Sequence, residues 1–261
     1  AYPQNGQGDF CRADSNGMAA GNCLEEAVLQ GLLEVIERDA VSIWWYNRLE
    51  RPGLEDLAAI NDSMVQQFLE AYASLGRRVW VLDLTGDLGI SVFAAVSALT
   101  SETPEQPLLG FGAHLEPKMA LLRALSEMNQ SLHNAYNYHL FQPSDRNEYF
   151  RKFILESLLS DHPYLLPSQG LQPVSIKSQP DQSSEDLLED IHFIVEKTRQ
   201  KGLEVLMLDL TRPEIQLPTV KMVVPGMCHW WARFAPGRLY EVPVNMGWLG
   251  QPNKEEDLNI P

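Results

Sequence analysis

SNGMAAGNCLEEAVLQGLLEVIERD, from Ser15 to Asp39, reads as a glycine-bearing turn that runs into a helix with its acids in one stripe. At about 100° per residue, with Glu26 set to zero, Gln30, Glu34 and Glu37 fall at about 40°, about 80° and about 20°. Asn22, if helical, falls at about −40°, so five polar groups share an arc of roughly 120°. Ala27, Leu32, Val35 and Ile36 point elsewhere, which predicts a helix buried over most of its circumference.

Like charges one turn apart cost about 0.2–0.5 kcal/mol per pair on an open surface, and several kcal/mol per unpaired ion in a buried cleft. A buried stripe of this kind therefore calls for a positive partner. Magnesium takes oxygen ligands, keeps some waters and is commonly shared with substrate phosphates. Glu26, Glu34 and Glu37 are the metal candidates, and Asn22 and Arg38 stand beside them. A guanidinium can fork onto phosphate oxygens. Spacing alone favours a solvated acidic face in which Arg38 pairs with Glu34 at i−4. Gly17 and Gly21 do not decide between the two, because glycine turns are common before helices.

The 261 residues are 44% hydrophobic, enough for one substantial core or two tightly joined lobes. A formal charge of −15 argues against binding a nucleic-acid backbone and leaves no basic patch for an anionic membrane. No apolar run is long enough to span a bilayer and no signal peptide is visible. Cys11, Cys23 and Cys228 form no CxxC pair, which points to a reduced, cytosolic setting. Cys23, inside the glycine turn, reads as a small buried side chain.

The chain echoes itself. SMVQQFLEAYASLG precedes RRVWVLDLTGDLGISVFAAVSAL, and LEDIHFIVEKTRQKG precedes LEVLMLDLTRPEIQLPTVKMVVPG. Each stretch is an amphipathic helix, a glycine, a strand ending in Leu-Asp-Leu-Thr, a turn and a second apolar strand. The expected fold is α/β (α+β), with duplicated helix-strand-strand units over about 63–99 and 187–226 and helices packed on mixed sheets. VWVLDL and VLMLDL read as strands covered mostly on both faces. Asp83 and Asp209 recur at equivalent places and are expected to brace their turns through Thr85 and Thr211 rather than to act as acids.

Between the units, GFGAH (Gly110 to His114) closes a strand, and Pro117 suits a first helical position. In the helix that follows, Arg123, Glu127 and Gln130 share a face at i, i+4 and i+7, the spacing of an ordinary Arg–Glu salt bridge with a polar neighbour. Residues 134 to 184 are mixed, and HPYLLPSQGLQPVSIKSQPDQSS reads as an exposed loop or hinge. Trp230, Trp231, Phe234, Tyr240 and Trp248 suit core or dimer packing better than a peptide channel. There is no GxSxG, Walker or HExxH sequence. The six histidines (His114, His133, His139, His162, His192, His229) show no zinc spacing, and no residue stands out as a general base.

SNGMAAGN…EEA…GLLEVIERDA resembles the YcaO family of ATP-dependent enzymes that modify peptide backbones. The resemblance extends to RALSEMNQ, TRPEIQLP, VVPGM and RFAPGRLYEVPV, the last three closest to the azoline-forming, cyanobactin-type cyclodehydratases. It implies a YcaO-like fold and a site for ATP and Mg2+. Glu26, Glu34 and Glu37 would hold the metal, and Asn22, Arg38, Arg123 and Gln130 the nucleotide. The implied reaction turns Cys, or Ser/Thr, of a ribosomally made precursor peptide into thiazoline or oxazoline by phosphorylating the amide-derived oxygen. Thioamide or macroamidine formation, and a non-catalytic nucleotide-binding scaffold, are the alternatives. The family also implies a precursor peptide, a leader-binding or E1-like partner domain outside this chain, and a symmetric homodimer. The family's earlier Ser/Lys turn, with its own glutamates, has no counterpart in AYPQNGQGDFCRAD, and Asn259-Ile260-Pro261 stands where a Pro-x-Pro-x-Pro tail is expected. The chain is thus expected to be the latter part of a single ATP-binding domain, 1–261, whose upstream half lies elsewhere and without which it would be inactive.

Overall fold

Helix α1 (Leu24–Asn47) is the element around which the rest is arranged. The computed structural model describes residues 14–137, 152–153, 155–231 and 234–258; Cys11, His139 and Asn259-Ile260-Pro261 lie outside them. α1 is buried along nearly its whole length, with Trp44, Leu32 and Leu33 1% exposed. Its apolar residues cover most of the circumference and set the acidic stripe apart, as the helical period requires, while Asp39, Ser42 and Asn47 make separate buried polar contacts. It ends at Arg48, whose left-handed backbone (φ 49°) turns its N–H back onto the carbonyls of Trp44 and Trp45.

Two three-stranded antiparallel sheets flank α1. The first has the order β2 (Arg77–Asp83), β3 (Ser91–Leu99), β4 (Leu108–His114). The second has the order β1 (Met18–Ala20), β6 (Thr219–Val223), β5 (Leu206–Asp209). The expected mixed pairing is confined to isolated bridges beside β2, where Gly53 pairs antiparallel with Leu82 and Leu54 pairs parallel with Val174. α1 packs against β3 and β4 of the first sheet and β1 and β6 of the second. α2 (Ser63–Ser74) lies on β2, and α4 (Leu187–Gln200) lies on α1. No helix of the described residues is long and apolar enough to cross a membrane.

α2-β2-β3 and α4-β5-β6 repeat one construction. Asp62 and Asp186 cap their helices by accepting the Met64 and Leu188 amides. Gly76 (φ 67°) and Gly202 (φ 72°) then end them in a conformation that penalises any Cβ. In the first hairpin Asp83 Oδ1 accepts the Thr85 N–H at 2.9 Å, and Thr85 Oγ1 accepts the Val92 N–H at 3.3 Å. In the second, Asp209 Oδ1 accepts the Thr211 N–H at 2.8 Å, and Thr211 Oγ1 accepts the Thr219 N–H at 3.1 Å. The two aspartates therefore brace turns. Their surroundings differ: Asp83 is buried and Asp209 is exposed. The strand LMLD of β5 is exposed at all its residues, contrary to the covered strand its apolar content suggests.

α3 (Pro117–Asn137) lies flush on β4, and two glycines permit it. A Cβ at Gly110 would collide with the Met128 amide nitrogen and the Ala124 carbonyl, and one at Gly112 with the Ala120 carbonyl. Phe111, between them, points to the opposite face, where its ring meets Trp44 at 6.2 Å and Trp230 at 5.7 Å. α1 and α3 thus cover opposite faces of the β4 edge.

The Pro/Gln/Ser-rich stretch is irregular and exposed or half-exposed, as expected, except where it is anchored at its start. Tyr164 and Leu165 are buried, the Leu165 carbonyl accepts the Trp80 indole N–H at 2.6 Å, and Arg51 pairs with Pro167. The C-terminal aromatics divide. Trp230 and Phe234 pack against Trp45 and Tyr46, and Trp248 stacks under the Arg51 guanidinium at 3.8 Å, whereas Trp231 is 64% exposed. Cys23 is exposed at the N-cap of α1, not buried.

Candidate nucleotide and metal site

Arg38 gathers the acids of α1 and α3. Its guanidinium lies 3.8 Å from Glu34 Oε1, 3.3 Å from Glu37 Oε1 and 3.4 Å from Glu127 Oε1. Glu34 is held from the second sheet's side, where its Oε2 accepts the Gly17 N–H at 3.2 Å; the Gly17 carbonyl in turn accepts the Met222 N–H of β6. Glu127 is held from the first sheet's side, where its Oε2 accepts the Phe111 N–H at 2.6 Å. In β4 the even residues bond to β3, so Phe111 N–H and Ala113 C=O face outward. Glu127 takes the first, and Arg123 donates to the second at 3.0 Å. Arg123 and Glu127 therefore do not form the expected salt bridge; each seals one backbone group of the β4 edge, and Glu127 reaches over that edge to Arg38.

Glu26 stands further toward the N-terminus of α1 and accepts both the backbone N–H and the side-chain Nδ2 of Asn22, at 2.7 and 2.9 Å. Asn22 and Gln130 are exposed, and neither bonds to the Arg38 cluster among the described residues. The structure therefore brings together Glu34, Glu37 and Arg38 of the expected set. It places Arg123 beside them, and Glu26, Asn22 and Gln130 outside the cluster. Glu127 joins the cluster: its spacing marks it only as a partner of Arg123, whereas the family resemblance implies that its helix face points into the ATP site.

The charge balance is uneven. Burial drives the Glu37 carboxyl up to about 8 against the pull of Arg38, and Glu127 and Glu34 add to the rise. Burial also raises Glu34, opposed by Arg38 and by the Gly17 N–H. Arg38 is pulled down by burial, but its acidic neighbours outweigh that and raise it. Burial lowers Arg123, with Glu37 opposing. Three carboxylates around Arg38 thus leave a surplus of negative charge that protonation relieves at neutral pH.

The sign of the resulting pH dependence follows from the raised carboxyl. The folded chain holds the Glu37 proton up to about 8, whereas the unfolded chain gives it up near the ordinary carboxyl value of 4.5. Stability from this group is full below pH 4.5 and declines as pH rises to about 8, by at most about 1.4 kcal/mol per pH unit. Glu37→Gln is expected to remove that decline, visible as a flatter plot of melting temperature against pH; an unchanged slope would show that the group is not protonated when folded.

The donors suit a hard cation. All are carboxylate oxygens, and among the described residues no three His, Cys, Asp or Glu side chains form a self-sufficient metal cage. Magnesium needs no such cage when phosphate oxygens and waters complete its octahedron. The carboxylate surplus and adjoining arginines match a metal shared with phosphates.

A second ionic group sits behind the site. Asp39, next to Arg38 on α1, receives Arg238 Nε and Nη2 at 3.1 and 2.6 Å and the Cys228 N–H at 2.7 Å. The same guanidinium binds Asp87 of the β2–β3 turn at 2.7 and 3.1 Å. Arg238 starts α5 (Arg238–Asn245), so this contact ties the C-terminal segment to α1. The side chains of Arg238 and Asp39 are 11% and 4% exposed. Arg238→Met is expected to cost about 3–5 kcal/mol in urea unfolding, because it strips the buried Asp39 of its cation and leaves Asp87 with Lys201 alone, at 3.5 Å. A loss below about 1 kcal/mol would mean that they are already neutral or solvated.

The family scan matches residues 1–228 to "YcaO cyclodehydratase, ATP- and Mg2+-binding". The chain belongs to the YcaO family. Among solved structures it resembles a heterocyclase in complex with substrate and cofactor (46% identity, TM-score 0.90) and the heterocyclase TruD (44%, 0.84). It covers 33% and 35% of those chains, and they cover 97% of it. It also resembles the YcaO protein of Methanopyrus kandleri bound with AMPPCP and Mg2+ (29%, TM-score 0.64), with 86% of this chain and 58% of that one aligned. A Methanothermobacter thermautotrophicus protein without an assigned function is 34% identical over 86% of this chain, which spans 58% of its length.

Proposed function

We propose that this chain is the latter part of a larger peptide heterocyclase and supplies half of its Mg2+–ATP site. The single observation that carries this reading is the surplus of carboxylates around Arg38, one buried and two half-buried, where α1 crosses the β4 edge. Bound ATP and Mg2+ supply the phosphoryl group that makes the amide-derived oxygen a leaving group.

Glu34 and Glu37, with Glu26 further along the stripe, would hold the metal, Arg38 and Arg123 would bind phosphate oxygens, and Asn22 and Gln130 would bind the nucleotide. The overall change is loss of one water from the peptide. A Cys, Ser or Thr side chain would add to the preceding carbonyl carbon with loss of its own S–H or O–H proton, the former carbonyl oxygen would take a phosphoryl group from ATP (leaving ADP), and loss of the amide N–H proton would form the ring C=N as that oxygen departs with phosphate, so that one oxygen and two hydrogens leave the peptide. The precursor peptide, a leader-binding partner domain and a homodimer complete the expected assembly, in a cytoplasmic setting. The similarity to two heterocyclases at 46% and 44% identity supports azoline formation over the other backbone modifications.

Titration of the full-length protein with AMPPCP tests the site. Binding is expected only with Mg2+ and is expected to be lost in Arg38→Met. Equal binding by that variant would place the nucleotide elsewhere.

A further inference from the structure

The outer edge of β5 has no strand beside it among the described residues. In the first hairpin the outer edge of β2 is filled: Asp83 N–H donates to the Pro52 carbonyl at 2.9 Å, and Leu54 N–H donates to the Val81 carbonyl at 2.8 Å. The second hairpin has the same register. Leu84 N–H donates to Val92 C=O and Leu210 N–H to Thr219 C=O, both at 2.8 Å, so Asp209 matches Asp83 and Met207 matches Val81. Asp209 N–H and Met207 C=O therefore face outward from β5, which ends its sheet, and among the described residues neither has a backbone partner. The apolar side chains here are open on both faces. Leu206 and Leu208 are 41% and 55% exposed on one, and Met207 is 46% exposed on the other. An unpaired apolar edge of this kind is a template for strand addition.

We propose that the outer edge of β5 accepts an extended apolar strand from the remainder of the parent polypeptide, as β2 accepts residues 52–54. A covalently attached partner binds at high effective concentration, and the heterocyclases that this chain resembles carry about two thirds of their length outside the matched part. Both faces of β5 are bare, so the incoming strand belongs to a folded layer that covers them; a lone peptide would fill the edge only. A second copy fits less well, because each chain carries a charge of −15, and Glu204 and Glu214 flank in sequence a strand that itself ends in the exposed Asp209. The inference rests on the proposal that the chain is part of a larger protein, and not on the chemistry assigned to α1.

Amide hydrogen exchange in the full-length protein tests it with an internal reference. The Asp209 amide is expected to be protected to within roughly tenfold of the Asp83 amide, and to remain so on dilution. Exchange of Asp209 at an open-strand rate while Asp83 stays protected would overturn the proposal. Protection of Asp209 that disappears on dilution would also overturn it, since the occupant would then be a second copy.

Discussion

Glu34→Gln in the full-length protein is expected to abolish ATP-dependent turnover while leaving the fold intact. The glutamine carbonyl can still accept the Gly17 N–H that Glu34 Oε2 now accepts at 3.2 Å, and its size is unchanged. What disappears is one negative charge in a half-buried site. Phosphoryl transfer depends on positioning and on offsetting charge rather than on covalent help from the protein, so a weakened metal site is costly. A loss of several kcal/mol in transition-state stabilisation corresponds to a rate drop on the order of 10³-fold or more. Phosphate release and peptide mass, followed together, measure it, and a melting temperature within a few degrees of the parent's confirms the fold. Unchanged activity would remove the acidic helix from the mechanism.

Gly110→Val is expected to produce the largest loss of stability of any single change in the first sheet. The new Cβ would enter the backbone of α3 at Met128 and Ala124, where no rotamer change can relieve the clash. Overpacking usually costs about 1–3 kcal/mol, and a backbone collision belongs at or beyond the upper end. Displacing α3 would also pull Glu127 away from Phe111 and Arg38, so nucleotide affinity is expected to fall with stability. Gly86→Ala is the control: open space surrounds that position, and its effect is expected within about 0.5 kcal/mol. Equal unfolding midpoints for the two variants would contradict the close packing of α3 on β4.

What was legible in the sequence was what obeys local periodicity. The burial of α1 and the alignment of Glu34, Glu37 and Arg38 follow from the helical repeat, and the bracing of the Leu-Asp-Leu-Thr turns follows from Asx-type hydrogen bonding. The start of α3 at Pro117 and the close approach at Gly110 and Gly112 follow from the chemistry of those residues. What was not legible depends on residues distant in sequence. Glu127 is 89 residues from Arg38, and its choice of Arg38 over the local Arg123 is set by the β4 edge, which offers Phe111 N–H to the acid and Ala113 C=O to the arginine. Arg238 reaches Asp39 across 199 residues, and neither side chain lies in a periodic pattern that names the other. The irregular, largely exposed stretch after His162 was legible from its Pro and Gln content, but the burial of Tyr164 and Leu165 was not, because that content reports turns and not whether the intervening Tyr and Leu are anchored. β5 was misjudged because apolar content shows that a strand seeks cover, while the cover need not come from this chain.

The most direct test of the central claim is to incubate the full-length protein with a Cys-, Ser- or Thr-containing precursor peptide, Mg2+ and ATP, and to follow the peptide by mass spectrometry. The account predicts loss of one water per modified residue, matched by release of one phosphate. An unchanged peptide with ATP intact, or a mass gain from sulfur insertion, would contradict it.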